Sequence, residues 1–251
     1  MQFFHTRIPV ENNKGSSEQI KAMSDLSKPE SKVDFLPRLG RHLAHELNNP
    51  ISAISSAAFL IQDFIETAEG GKVDIESVGP FVESISEECN KLKIIVEEFS
   101  KYVTTTSILA MPLEVNEFVR MRVTEMVRDG EAVTFRGSDA PLKIIGDAGA
   151  LQFVLRALTG YSFQCGATAI TISVSNRDQC IIAVADNRSP SPTEEEISDV
   201  FNPLPVRRTT GLGLKLPLAK KLIDLHQGSI ELTAPKEGGA MICIMLPRAT
   251  N

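Results

Sequence analysis

Tryptophan is missing from this chain and tyrosine occurs only twice. Stacking platforms for bases therefore have little material. Basic charge is not in excess: 26 Lys and Arg stand against 32 Asp and Glu, a net charge of −6. Phosphate contacts along nucleic acid need clustered cations, so no nucleic-acid partner is expected. Four cysteines, Cys89, Cys165, Cys180 and Cys243, are scattered with no C-x-x-C pair. That spacing argues against a disulfide framework or a thiolate metal site, and the four read as small buried hydrophobes. No apolar run reaches the length of a membrane span, and residues 1–10 lack the apolar core of a secretion signal. These absences lead us to expect a cytoplasmic protein with no membrane span and no metal-ligand set.

What is present is ordinary globular material: 251 residues, 42% hydrophobic and 23% charged, enough for one or two domains. Residues 1–32 are mostly polar, with no steady apolar period, and read as a flexible N-terminal arm. From Leu36 the pattern changes. Leu36, Leu39, Leu43, Leu47, Ile51, Ile54, Ala58, Ile61 and Ile65 recur every three or four residues, which predicts one long amphipathic helix. Glu69-Gly70-Gly71-Lys72 breaks it. A second stripe follows through Val78, Phe81, Ile85, Cys89, Leu92, Val96, Phe99 and Val103. Two long helices and a short Gly-containing loop make an antiparallel hairpin, assigned to residues 33–108. One hairpin cannot cover two such stripes. Pairing two hairpins into a four-helix bundle does, which predicts a homodimer.

Met111-Pro112 marks a boundary, beyond which helix and strand periods mix. A short strand and helix over 113–126, strands at 133–136 and 142–145, and a helix over 147–164 capped by Asp147 are predicted. Strand hairpins are expected at 169–185 and 229–246, with a helix over 212–226 between them. The fold class is therefore α+β: a helical hairpin, then an α/β sandwich over residues 112–251.

The chemistry-bearing run is His42-Leu43-Ala44-His45-Glu46-Leu47-Asn48-Asn49-Pro50. His45 and Asn49 are four apart and share a helix face. An imidazole titrates near neutrality, so one ring nitrogen can attack phosphorus while a neighbouring carboxylate holds the other N–H. Pro50 removes the helical bond to the Glu46 carbonyl and crowds it, which predicts a bend beside the histidine. The run from His45 to Ile51 resembles the phosphoacceptor box of two-component histidine kinases, and the hairpin around it is similar to their dimerisation and phosphotransfer domain. The resemblance implies that His45 is phosphorylated, that Glu46 is its acid/base partner, and that Asn49 serves dephosphorylation of a response-regulator receiver domain.

Residues 112–251 resemble the ATP-binding domain shared by histidine kinases, gyrases, a heat-shock chaperone and mismatch-repair ATPases. Thr209-Thr210-Gly211-Leu212-Gly213-Leu214 looks like that family's second glycine box, in which Gly211 and Gly213 let backbone N–H groups approach phosphates. Val200-Phe201-Asn202-Pro203-Leu204 looks like the segment before its lid. The resemblance implies ATP and Mg²⁺ as cofactors. Two motifs depart from it. The metal-binding helix carries two Asn about a turn apart, and matching Gln152-Phe153-Val154-Leu155 to it places Arg156 and Gly160 at those positions. The first glycine box, Asp-x-Gly-x-Gly, reads Asp186-Asn187-Arg188-Ser189-Pro190. Asp186 remains as an acceptor for the adenine amino group, but both glycines are gone. The domain reads as degenerate, with ATP-dependent autophosphorylation weak or lost.

Four readings follow. The first is a phosphorelay protein that exchanges a phosphoryl group between His45 and a receiver aspartate. The others are a kinase with divergent ATP chemistry, a receiver phosphatase working through Asn49, and a non-enzymatic receiver-binding scaffold. Glu194-Glu195-Glu196 reads as a solvated helix start. His226, at a helix end, reads as a cation suited to the helix dipole.

Overall fold

The computed structural model describes residues 32–68, 75–138, 140–176, 178–203 and 212–249. Almost all of the N-terminal arm, the Gly70-Gly71 break, Arg207-Arg208 and Gly211 lie outside them. The chain divides into two units, Met1–Arg38 and Leu39–Asn251. Of the first, only the opening turns of helix α1 are described.

Helix α1 (Lys32–Thr67) and helix α2 (Ile75–Thr104) form where the two apolar stripes predict them. α1 continues as helix across Pro50, which is itself buried. The rings of Phe64 and Phe81 meet at 5.8 Å between the helices. Ala57 and Ile95 are buried, but Ile51, Phe59, Ile65, Val82, Ile94, Val96 and Val103 remain exposed. Cys89 is also exposed, and Cys165 and Cys243 are only half-buried, so the expectation of buried cysteines holds for Cys180 alone.

The rest is α+β. A two-stranded antiparallel sheet pairs β1 (Met111–Glu114) with β3 (Lys143–Gly146). Between them lie α3 (Val115–Arg128) and β2 (Val133–Arg136). Helix α4 (Ala148–Gln164) leads to β4 (Ile170–Asn176) and β5 (Cys180–Asp186). Then come α5 (Glu194–Asp199), α6 (Lys215–Leu225), β6 (Ser229–Thr233) and β7 (Ala240–Leu246). The main sheet has the order β2-β4-β5-β7-β6, parallel at β2-β4 and antiparallel elsewhere. Strands β4, β5 and β7 alternate buried and half-buried positions, as one sheet face packed on a helical layer requires. Val154, Leu155, Leu158, Ile172, Val184, Leu222, Ile223 and Ile242 belong to that core.

Two local devices set the frame. Asp147 caps α4, accepting from the Ala150 N–H at 3.0 Å and from the Leu109 N–H at 2.8 Å. Those bonds hold its carboxyl below the ordinary aspartate range. His226 is buried, and the Asp147 N–H donates to its Nε2 at 2.9 Å while its Nδ1 lies 2.7 Å from the Leu222 carbonyl. An Nε2 that accepts an N–H bond carries no proton, so Nδ1 is the donor and the ring is neutral. The expected helix-end cation is thus a neutral brace between α6 and the start of α4.

Asp147→Ala should lower stability by about 1–2 kcal/mol, the usual cost of a lost cap. Because the folded carboxyl titrates below its unfolded value, its contribution is complete above that value and fades as pH falls through the lower, folded one. Urea unfolding of both proteins should show the full gap at neutral pH and a narrowing gap below about pH 4.

The end of α2 is tied to the sheet domain. Lys215 lies 3.6 Å from the Glu98 carboxylate, Lys221 donates to the Tyr102 carbonyl at 2.7 Å, and Lys101 sits 4.0 Å above the Phe153 ring. Burial raises the Glu98 carboxyl despite Lys215.

Candidate functional site

His45 stands on α1 with its side chain 73% exposed. Its Nδ1 lies 3.7 Å from Glu46 Oε1 and 3.4 Å from Asn49 Nδ2. The structure therefore brings the three residues of the box around one ring nitrogen. The two contacts ask for opposite tautomers. Glu46 can only accept and favours a proton on Nδ1, whereas an amide N–H can only donate and favours a bare Nδ1. With Glu46 as partner, Nε2 holds the free lone pair on an imidazole open to solvent.

Asp186, at the end of β5, has a different fate from the one its motif suggests. The side chain of Arg188, two residues on, folds back over it. Arg188 Nη2 donates to Asp186 Oδ2 at 2.6 Å, and Nε lies 3.0 Å from both carboxylate oxygens. The Arg188 and Ala240 backbone N–H groups donate to Oδ1 at 3.1 and 3.2 Å. The Ser162 hydroxyl hydrogen-bonds the same carboxylate. A carboxylate offers about four lone-pair positions, and these donors fill them. Both side chains are sealed, with 2% of Arg188 and 1% of Asp186 exposed. Burial alone would raise the Asp186 carboxyl, but the hydrogen bonds and charge of Arg188 outweigh it and hold it low.

The guanidinium is enclosed on its other sides. It lies 4.7 Å over the Tyr161 ring, with Nη2 3.3 Å from Ser162 Oγ and Nη1 3.7 Å from Glu196 Oε1. The Tyr161 hydroxyl donates to Glu196 Oε1. Burial and that bond raise the phenol far above its ordinary range, so it stays protonated. Glu196 is therefore turned inward, and only its neighbours fit the expected solvated helix start.

The turn itself is held from both sides. Asn187 Oδ1 accepts from the Thr168 and Ala169 N–H groups, and its Nδ2 donates to Thr168 Oγ1. A Cβ on Gly239, where φ is 76°, would collide with the Asp186 carbonyl; only glycine lets β7 begin so close.

Arg156 and Gly160 do not face this cluster. Arg156 is exposed and pairs with Asp129 at 2.8 Å and Glu131 at 3.7 Å. Gly160 follows it by one turn on the same face. The face of α4 that meets Asp186 carries Tyr161 and Ser162 instead. Among the described residues no group of three His, Cys, Asp or Glu could hold a metal ion. Here the two nearby carboxylates, Asp186 and Glu196, are bridged by a guanidinium and a phenol. These residues do not fit Mg²⁺, which takes oxygen ligands and is repelled by a fixed cation. Gly213 lies before α6 with φ of 66°, a backbone open to close approach. Its partner Gly211 is outside the described residues.

Residues 146–250 match the family model described as histidine kinase-, DNA gyrase B-, and HSP90-like ATPase. The chain is 23% identical over 235 residues to the sensor histidine kinase ZraS of Salmonella typhimurium, covering 90% of this chain and 49% of that protein. It spans about half the length of the curated relatives it matches. Its fold resembles histidine kinase ThkA in complex with response regulator protein TrrA, with a TM-score of 0.64 at 19% identity, covering 92% of this chain and 67% of that one. It also resembles full-length ShkA in complex with AMPPNP, with a TM-score of 0.58 at 16% identity, covering 93% of this chain and 46% of that one. No helix among the described residues is long and apolar enough to cross a membrane.

Proposed function

We propose, from its likeness to sensor histidine kinases in sequence and fold, that the chain works as a phosphorelay protein of the two-component histidine kinase family, carrying a phosphoryl group on His45 and exchanging it with the aspartate of a response-regulator receiver domain. The observation that carries this reading is an exposed imidazole whose Nδ1 faces Glu46 and Asn49. With the Nδ1 proton held toward Glu46, the Nε2 lone pair attacks the phosphorus of an aspartyl phosphate. The P–O bond to the aspartate breaks, and the receiver carboxylate leaves with its electron pair. Charge on the ring is balanced by the Glu46 carboxylate, which acts at Nδ1 throughout. The reverse step delivers the group to a second receiver.

ATP-dependent phosphorylation of His45 is weak or absent in this reading, since Asp186 has no acceptor position to offer and the cluster does not suit a divalent cation. The exposed apolar residues of α1 and α2 support pairing with a second copy into a four-helix bundle. Residues 33–108 then serve as the phosphotransfer hairpin, and residues 112–251 as the degenerate ATPase-type domain. The amide of Asn49 within 3.4 Å of the ring favours a second reading, in which it aligns water for hydrolysis of the receiver phosphate.

Two incubations test the proposal. A phosphorylated receiver should pass label to the protein without nucleotide, and labelled ATP with magnesium should leave it unlabelled. Labelling from ATP, with none from any receiver, would make the chain a kinase. Receiver dephosphorylation that survives His45→Ala but not Asn49→Ala would make it a phosphatase.

A further inference from the structure

We infer that the adenine position of the ATPase-type domain is closed by the chain itself, with the Arg188 guanidinium occupying, on Asp186, the place that an adenine amino group would need. The inference rests on reading residues 112–251 as a domain of that type.

The substitution and the geometry coincide. Arg188 stands at the first glycine of Asp-x-Gly-x-Gly, and its side chain reaches back to Asp186. It does so through Nε and Nη2, and a third donor comes from its own backbone N–H. The recess around it is completed by the Tyr161 ring, Ser162 and Glu196. A nucleotide entering here must displace a buried cation from a buried carboxylate. It would return one neutral N–H bond for two charge-assisted ones, and it would strand the guanidinium beside Tyr161. The low accessibility of both partners leaves no alternative side from which the base could approach Asp186.

The same cluster also gives the domain a reason to stay folded without ligand. β5, α4, α5 and the start of β7 each contribute a residue to it: Asp186, Ser162, Glu196 and Ala240. The Asp186–Arg188 pair thus joins four elements at the point where a bound base would otherwise join them.

The test uses the full chain with ADP and ATP, with and without magnesium, followed by titration calorimetry. Wild type should give no saturable binding up to millimolar nucleotide. Arg188→Gly, which restores the motif residue and empties the recess, should bind saturably, at least about tenfold more tightly than that millimolar limit. Saturable binding to wild type that Asp186→Asn abolishes would overturn the inference. So would a folded Arg188→Gly that binds no better than wild type. If Arg188→Gly does not fold, Asp186→Asn decides alone: a lowered melting temperature with still no nucleotide-induced shift supports the internal pair, and a change in nucleotide response contradicts it. Transfer from a phosphorylated receiver, measured on wild type in parallel, fails only if the phosphorelay reading fails.

Discussion

His45→Ala is expected to reduce phosphoryl uptake from a phosphorylated receiver to background, a loss of at least about 10³-fold, because the variant has no nucleophile at all. Glu46→Gln should keep the geometry and lose about 10²-fold, the ordinary worth of a positioned acid/base group. The difference between the two separates a nucleophile from the group that holds its tautomer. It follows from the arrangement at Nδ1, where Glu46 and Asn49 compete for one nitrogen. Circular dichroism should show both variants folded, since the His45 side chain is exposed and buries no core area. Rapid-quench measurement with a labelled receiver gives the rates. A fully active Glu46→Gln would remove that carboxylate from the reaction.

The largest stability effect is expected at Arg188. Arg188→Ala leaves the Asp186 carboxylate buried with its main donor gone, and breaking a buried pair from one side costs about 3–5 kcal/mol. The double replacement Asp186→Leu with Arg188→Leu removes both charges and both desolvation penalties. It should recover most of that loss, because an apolar pair of similar volume is commonly as stable as a buried ion pair. Urea unfolding of the single and double variants measures the coupling. A double-variant loss equal to the sum of the losses of Asp186→Leu and Arg188→Leu alone would mean that the two side chains act separately. The Tyr161 ring beneath the guanidinium should add to the single-variant loss, since it gives up a buried cation–π contact.

Local patterns carried much of the fold. The two stripes located α1 and α2, and Asp147 announced the start of α4 through ordinary cap chemistry. The strand expected at 142–145 forms at Lys143–Gly146, a one-residue shift of the kind that short strands with little periodicity allow. The His45 box was legible for the same reason: its members lie within one turn of a helix, so spacing alone brings them together.

The second site was legible only as a loss. The sequence shows Arg where a glycine would stand, but not where the guanidinium goes. Its destination depends on Ser162, Tyr161 and Glu196, contributed by α4 and α5 from either side in the chain. The signal was present in Asp186-x-Arg188, a carboxylate and a cation close enough to pair across one turn. Glu196 was misread because charge runs are usually solvated, and a helix start gives no hint that one of three glutamates faces inward. Arg156 and Gly160 were misplaced because the helix has no Asn to anchor its register, and only packing shows which face meets Asp186. His226 looked like a cation at a helix end. Its neutrality is set by the Asp147 N–H, 79 residues away in sequence.

The central claim is that this protein phosphorylates His45 from a receiver without nucleotide. The direct measurement is mass spectrometry under alkaline handling, after mixing nucleotide-free protein with a phosphorylated receiver. A phosphoryl group localised to the His45 peptide is the predicted result. A peptide that stays unmodified while the receiver keeps its phosphate, or loses it only to water, would contradict the claim.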